Sequence, residues 1–167
     1  MSYNVLFLCT GNTARSILAE SILRKDGAGK FQTFSAGSQP KGTVNPFAIK
    51  VLNSFGYPVE GLTSKSWDVF AAKDAPKIDF IFTVCDNAAG ETCPVWPGHP
   101  STAHWGIDDP AAISGTDIEK EAAFVEAFRL LRNRILAFAA LPIESLDKIS
   151  LTHELKSIGQ MEGASRG

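Results

Sequence analysis

Cys9-Thr10-Gly11-Asn12-Thr13-Ala14-Arg15-Ser16 decides the fold, because the residues before it and after it carry different periods. Tyr3-Asn4-Val5-Leu6-Phe7-Leu8 is a short, nearly continuous apolar run, the pattern of a strand buried in a parallel sheet. After it, Ala19, Ile22 and Leu23 recur at i, i+3, i+4 on one helical face. The octapeptide is therefore a strand-to-helix loop of small residues with a thiol at one end and a guanidinium at the other. Such a loop curls successive backbone N–H groups around a common centre, and the helix N-terminus adds positive partial charge. An anion suits that centre. Arg15 would clamp two of its oxygens bidentately, a geometry that Lys lacks. The same field favours Cys9 as a thiolate, the nucleophilic form. Read as plain structure, these residues would be a buried strand-end cysteine, a Gly-Asn turn and a solvated arginine; their position at the end of the first strand favours the anion site.

The length of 167 residues predicts one domain, and 44% hydrophobic residues are enough for a full core. A net charge of −2 and the absence of basic tracts argue against nucleic acid or an anionic membrane as main partner. The first residues run straight into a strand, with no signal-peptide pattern and no apolar run of bilayer length, so a cytoplasmic location is expected. In that compartment three cysteines point to catalysis, metal binding or packing rather than static disulfides. Three cysteines and three histidines form no recognisable ligand spacing, and neither metal nor cofactor is expected.

Further along, Phe31-Gln32-Thr33-Phe34-Ser35-Ala36 alternates like a strand and ends at Gly37. A helix is predicted from Asn45, with Pro46 at its first position, to Gly56. Ser64 or Ser66 is placed to cap a short helix through Trp67, Val69 and Phe70, and Asp79-Phe80-Ile81-Phe82-Thr83-Val84 reads as a buried strand ending at Cys85. Residues 86–102 lack periodicity and read as a long surface loop, the kind that is commonly functional. Ala103-His104-Trp105-Gly106-Ile107 is the predicted fourth strand, with His104 and Trp105 as packing residues. Thr116-Asp117-Ile118-Glu119 matches a capping box, and Phe124, Phe128, Leu131, Ile135 and Phe138 follow at helical spacing up to Pro142. The element order predicts an α/β fold: a four-stranded parallel sheet with helices on both faces in one domain, 1–142. Residues 143–167 read as an extension with a turn or two of amphipathic helix and a mobile polar tail.

Cys9, Cys85 and the pair Asp108-Asp109 all fall at carboxyl ends of strands, which line one crevice in such a fold. Asp109, before Pro110, is a candidate general acid for the oxygen that leaves, with Asp108 as its rival. Cys85 and Cys93, in a loop after a core strand, suggest a relay that passes disulfides outward by thiol exchange.

Together these residues resemble the thioredoxin-coupled arsenate reductases, which share the fold of low-molecular-weight protein tyrosine phosphatases. The resemblance spans roughly residues 3–140 and rests on Cys9 to Ser16, Ser35-Ala36-Gly37, Val84-Cys85, Cys93-Pro94 and His104-Trp105-Gly106-Ile107-Asp108-Asp109-Pro110-Ala111. It implies that Cys9 attacks arsenic, that Arg15 and the amides of Thr10, Gly11, Asn12, Thr13 and Ala14 hold the oxyanion, and that Asp109 is the acid. Asn12 would brace the loop and Ser16 would hydrogen-bond the thiolate. Cys85 would then attack Cys9 and expel arsenite, and Cys93 would carry the disulfide to the surface. The implied partners are arsenate, with phosphate or sulfate competing, and a thioredoxin or glutaredoxin-type reductant.

The chain departs from the family at three places. Ala14 stands where many relatives have a cysteine, and the interval from Cys85 to Cys93 is one residue longer than usual. Lys65 stands where some members have an acidic residue beside a potassium ion, which argues against that cation. The alternative activity is a low-molecular-weight phosphatase with a Cys9 phosphoenzyme. Against it, Ala111 and Ala112 follow Asp109-Pro110 where such phosphatases typically place aromatic rings for phosphotyrosine. A third reading is an oxyanion-binding or redox-sensing module that consumes no arsenate.

Overall fold

The computed structural model describes residues 2–85 and 100–164. Four strands, β1 (Tyr3–Cys9), β2 (Phe31–Gly37), β3 (Phe80–Thr83) and β4 (Ser101–His104), form one sheet in the order β2-β1-β3-β4. All three pairings are parallel. Among the described residues five α-helices accompany them: α1 (Arg15–Asp26), α2 (Pro46–Ser54), α3 (Asp68–Ala71), α4 (Asp117–Ala139) and α5 (Lys148–Gly159).

The alternation along β1 divides the core. Val5, Phe7 and Cys9 enter a large cluster with residues of α1, α2, α4 and α5, while Leu6 and Leu8 enter a smaller one with Trp67, Phe70 and Ile81. Both faces of the sheet are thus covered, unequally. The chain leaves β1 toward β2 on one side and returns to β3 on the other, so the two connections diverge from the carboxyl ends of β1 and β3. That divergence opens the crevice where doubly wound sheets bind ligands.

The predicted long helix is α4. Its capping box is formed by Thr116 and Glu119 in both directions, and Phe124, Phe128, Leu131, Ile135 and Phe138 are all buried. It ends at Ala139, shortly before Pro142, which has no N–H to continue the ladder and disfavours helical backbone at the residue before it, and Lys30 Nζ donates to the carbonyls of Ala139 and Leu141 at that end. Asn45 caps α2 by accepting from the Phe47 N–H at 2.9 Å, with Pro46 in the first turn as expected. The cap of α3 is Trp67; Ser66 accepts from the Asp68 N–H, and Ser64 is used elsewhere.

Three expectations need correction. The fourth strand runs over Ser101–His104, not 103–107: the Trp105 N–H still reaches the Thr83 carbonyl, but its indole turns into the core and stacks on Phe82 at 3.7 Å. His104 lies exposed beside Thr83 Oγ1 at 2.7 Å and is not a packing residue. The extension is also more ordered than a turn or two. Asp147 caps α5 through the Ser150 N–H, Leu155 and Ile158 are buried, and Trp105 Nε1 donates to the Leu155 carbonyl at 2.9 Å. Among the described residues no helix is long and apolar enough to cross a membrane.

Candidate active site

Cys9 ends β1, and residues 10–14 lead directly into α1. Asn12 adopts φ +50°, the left-handed region that Asn tolerates better than most residues. Its completely buried side chain fastens the loop from behind. Nδ2 donates to Ser16 Oγ (2.8 Å) and Ser35 Oγ (3.0 Å), while Oδ1 accepts from the Lys65 N–H (2.9 Å). This is the bracing role expected of Asn12. Ser16 Oγ accepts from Asn12, which leaves its O–H as a donor.

The loop carbonyls are turned outward and held there. Thr10 O accepts from the Gln39 N–H, Gly11 O from the Lys41 N–H and Ser64 Oγ, and Thr13 O from the Asn45 N–H. In a trans peptide the N–H of the next residue points opposite to the carbonyl, so the amides of Gly11, Asn12 and Ala14 are directed inward. Gly37 makes this arrangement possible, since a Cβ there would lie 2.4 Å from the Thr10 carbonyl oxygen. The α1 N-terminus completes the trap. Its N-cap, Ala14, offers no side-chain bond, and its first turn holds no acidic residue, so no side chain at the cap competes with an anion for the orphan amides.

A cavity of about 220 Å³ sits over this loop, lined by Cys9, Thr10, Gly11, Thr13, Ala14 and Arg15 and closed by Gln39, Lys41, Asp109 and Ala111. Lys41 and Gln39 had no sequence signal; they reach the cavity because their N–H groups tie down the loop. Arg15 is largely buried. Its Nη1 donates to the Ile107 carbonyl at 2.8 Å, Nη2 lies 3.6 Å from Asp109 Oδ2, and Nε has no partner among the described residues. An orphaned guanidinium donor in the wall of a cavity that holds a nucleophile is what an oxyanion would satisfy.

Asp109 and Asp108 are separated by the geometry. Asp109 lines the Cys9 cavity and accepts from the Ala111 N–H at 2.9 Å, starting the 3-10 turn Pro110–Ala112, whereas Asp108 does not reach the cavity. Cys85 follows β3, and the pairing of Leu8 with Thr83 sets it beside the loop: Thr10 Oγ1 lies 3.7 Å from Cys85 Sγ. Both Cys9 and Cys85 are buried thiols, and they are hydrogen-bonded to each other. That contact corrects the expectation of a resting Cys9 thiolate. The bond to Cys85 and then burial push the Cys9 thiol well above its ordinary value, outweighing the pull of the Arg15 charge and the Thr10 N–H. Cys93 and the loop around it lie outside the described residues.

A polar network behind the loop was missed from sequence. Ser35 Oγ donates to Glu20 Oε1 at 2.5 Å, Arg24 Nη2 reaches Glu20 Oε2 at 3.1 Å, and Lys65 Nζ donates to the carbonyls of Ser35 (2.9 Å) and Thr63 (2.7 Å). Burial raises the Glu20 carboxyl, and burial also lowers Lys65 while the Glu20 charge opposes that. A potassium ion, which the family resemblance would place here, does not fit: the Lys65 ammonium already fills the carbonyl-lined position and supplies its charge. Among the described residues, no group of His, Cys, Asp and Glu is arranged to hold a metal.

A larger cavity, about 610 Å³, lies among Phe55, Tyr57 and Phe128, away from Cys9 and without a cysteine in its lining. Chemistry rather than size therefore identifies the site.

Comparison with known proteins agrees with the geometry. The chain is 38% identical over 135 residues to an arsenate reductase of Halalkalibacterium halodurans, covering 81% of this chain and 94% of that protein. An arsenate reductase of Bacillus subtilis is 36% identical over the same shares. Among solved structures, an arsenate reductase in a phosphate-binding state superposes with a TM-score of 0.68 at 26% identity, covering 83% of this chain and 97% of that one. Residues 4–149 match the model of the low molecular weight phosphotyrosine protein phosphatases, and the chain belongs to that family.

Proposed function

We propose that the protein is an arsenate reductase, and that it works through Cys9, Cys85 and Cys93 in turn. The observation that carries this reading is the second thiol: Cys85 is in hydrogen-bonding contact with Cys9 at the base of an oxyanion cavity. Phosphoryl transfer has no use for it. A thiol in that position is placed to attack whatever bond Cys9 has just formed.

The steps balance as follows. Arsenate enters as an anion and is held by the inward amides, the α1 N-terminus and Arg15. Cys9, raised as a thiol, gives its proton to an arsenate oxygen, and its sulfur bonds to arsenic. One As–OH leaves as water with the proton that Asp109 supplies. Cys85 then gives its proton to an oxygen of the bound arsenic group and attacks Cys9 Sγ as the thiolate. The S–As bonding pair goes to arsenic, which departs as arsenite reduced by two electrons, and a Cys9–Cys85 disulfide remains. Cys93 attacks Cys85, releasing Cys9 and leaving a Cys85–Cys93 disulfide. A thioredoxin or glutaredoxin-type dithiol then returns the two electrons.

One equivalent of arsenate without reductant should yield a Cys85–Cys93 disulfide on peptide mapping. Cys85→Ser should stop at the Cys9 adduct and Cys93→Ser at the Cys9–Cys85 disulfide, while multiple turnover with thioredoxin should need both cysteines. Sustained turnover by the variant lacking Cys85 and Cys93 would refute the three-thiol route. Phosphotyrosine hydrolysis without arsenate consumption would instead support a phosphatase.

A further inference from the structure

We propose that the turn at residues 161–164, held by the buried Arg134, braces the Asp109 loop, and that Arg134 is thereby a positioning residue for the chemistry at Cys9. The proposal rests on the reading of Asp109 as the acid.

Arg134 lies in α4 and is almost wholly buried, at 1% exposure. Its described partners are backbone carbonyls: Nη1 donates to Leu130 O and Glu162 O, and Nη2 to Met161 O, each at 3.1 Å. A guanidinium removed from water without a carboxylate beside it is costly, and burial pulls its pKa down. Simple packing on α4 would be met more cheaply by an apolar side chain. What the guanidinium does instead is fasten two successive carbonyls of the chain beyond α5 to α4.

From that anchor the path to the site is short. The Ala164 N–H closes the turn on Met161 O at 3.2 Å, and Ala164 forms an antiparallel bridge with Ile107. Ile107 in turn offers its carbonyl to Arg15 Nη1 and stands two residues before Asp109. The turn is pressed hard on α4, where a Cβ on Gly163, at φ +86°, would meet the Leu130 side chain at 2.5 Å. One turn of helix earlier, Gly159 lets α5 lie against the exit of β4, since a Cβ there would fall 2.4 Å from the His104 carbonyl. The loop from Trp105 to Asp109 is thus backed by a segment that lies beyond residue 149, where the family match ends. Chain that adds nothing to the cavity wall fixes the height of the residue that closes it.

The test uses Arg134→Met, alone and combined with Asp109→Asn, in the full chain. Hydrogen exchange read by mass spectrometry should quicken at amides 105–111 in Arg134→Met. Single-turnover formation of the Cys9–arsenate adduct should slow about tenfold, as a modest misplacement of a reacting group does. In the Asp109→Asn background the same substitution should cost no more than about twofold, because the group it positions is gone. A full tenfold loss in that background, or exchange at 105–111 equal to wild type, overturns the brace. Should Arg134→Met fold poorly, a chain ended after Gln160 keeps α5 and the Trp105 contact but loses the turn. The same faster exchange is expected there, and unchanged exchange is again decisive against the proposal. The exchange measurement needs no turnover: a wild-type enzyme that forms no arsenate adduct would sink the reductase reading while leaving the brace to be judged by exchange.

Discussion

Replacing Arg15 by lysine keeps the charge and removes the fork, and the structure allows the loss to be sized. The guanidinium is held by the Ile107 carbonyl at 2.8 Å through Nη1 and faces Asp109 at 3.6 Å through Nη2. Its remaining donors are therefore pre-aimed before any anion arrives. A lysine ammonium cannot bond Ile107 O and two oxygens of an anion in one plane. Two charge-assisted bonds to the oxyanion at about 1.5 kcal/mol each give about 3 kcal/mol, or roughly a hundredfold in Kd. Inorganic phosphate is the suitable probe, because it has the charge and shape of arsenate without being reduced. Calorimetric titration should show Arg15→Lys binding phosphate about a hundredfold more weakly, and phosphate protection of Cys9 from alkylation should weaken in parallel. An affinity within threefold of wild type would mean that the amides and the helix terminus bind the anion without the guanidinium, and the assignment of Arg15 would be wrong.

Asp109→Asn should bind phosphate nearly as wild type but form the Cys9–arsenate adduct about a hundredfold more slowly; a larger loss in Asp108→Asn, measured by the same quenched-flow assay, would transfer the role to Asp108. Glu20→Gln tests the network behind the loop through its pH dependence. Because burial raises the Glu20 carboxyl above its ordinary value of 4.5, the folded chain holds this proton more tightly than the unfolded chain does. Its contribution to stability is intact below that value and falls as pH rises through the folded pKa. Thermal unfolding from pH 4 to 7 should therefore show Glu20→Gln gaining on wild type as pH climbs, and a gap that stays constant or moves the other way would contradict the argument.

The parts of this molecule that were legible in the sequence are those written in local period or local chemistry. The apolar run before Cys9, the helical stripe from Phe124 to Phe138 and the Thr116 capping box each specify an element with no help from distant residues. The anion loop was legible for the same reason, since its amides, its glycine and its arginine are consecutive. Asp109 was narrowed only to a pair, because adjacent residues point in different directions and only the fold says which one faces Cys9. The extension was under-read although Leu151, Leu155 and Ile158 repeat at i, i+4, i+7; Ile149, fully outside that stripe and exposed, and the many polar residues diluted the pattern. What remained invisible depends on groups that meet only through parallel pairing. Lys65 reaches the carbonyl of Ser35 across 30 positions, and Cys85 reaches Cys9 because Thr83 pairs with Leu8. The second of these reverses a chemical conclusion. Taken alone, the loop makes Cys9 a thiolate, but a neighbouring thiol in hydrogen-bonding contact holds the proton in place until an anion arrives to accept it. Cys85 thus keeps the nucleophile protonated at rest. The arrangement that readies Cys85 for exchange also delays Cys9 until its substrate is bound, and a pH–rate profile that changes when Cys85 is replaced by serine is the consequence to look for.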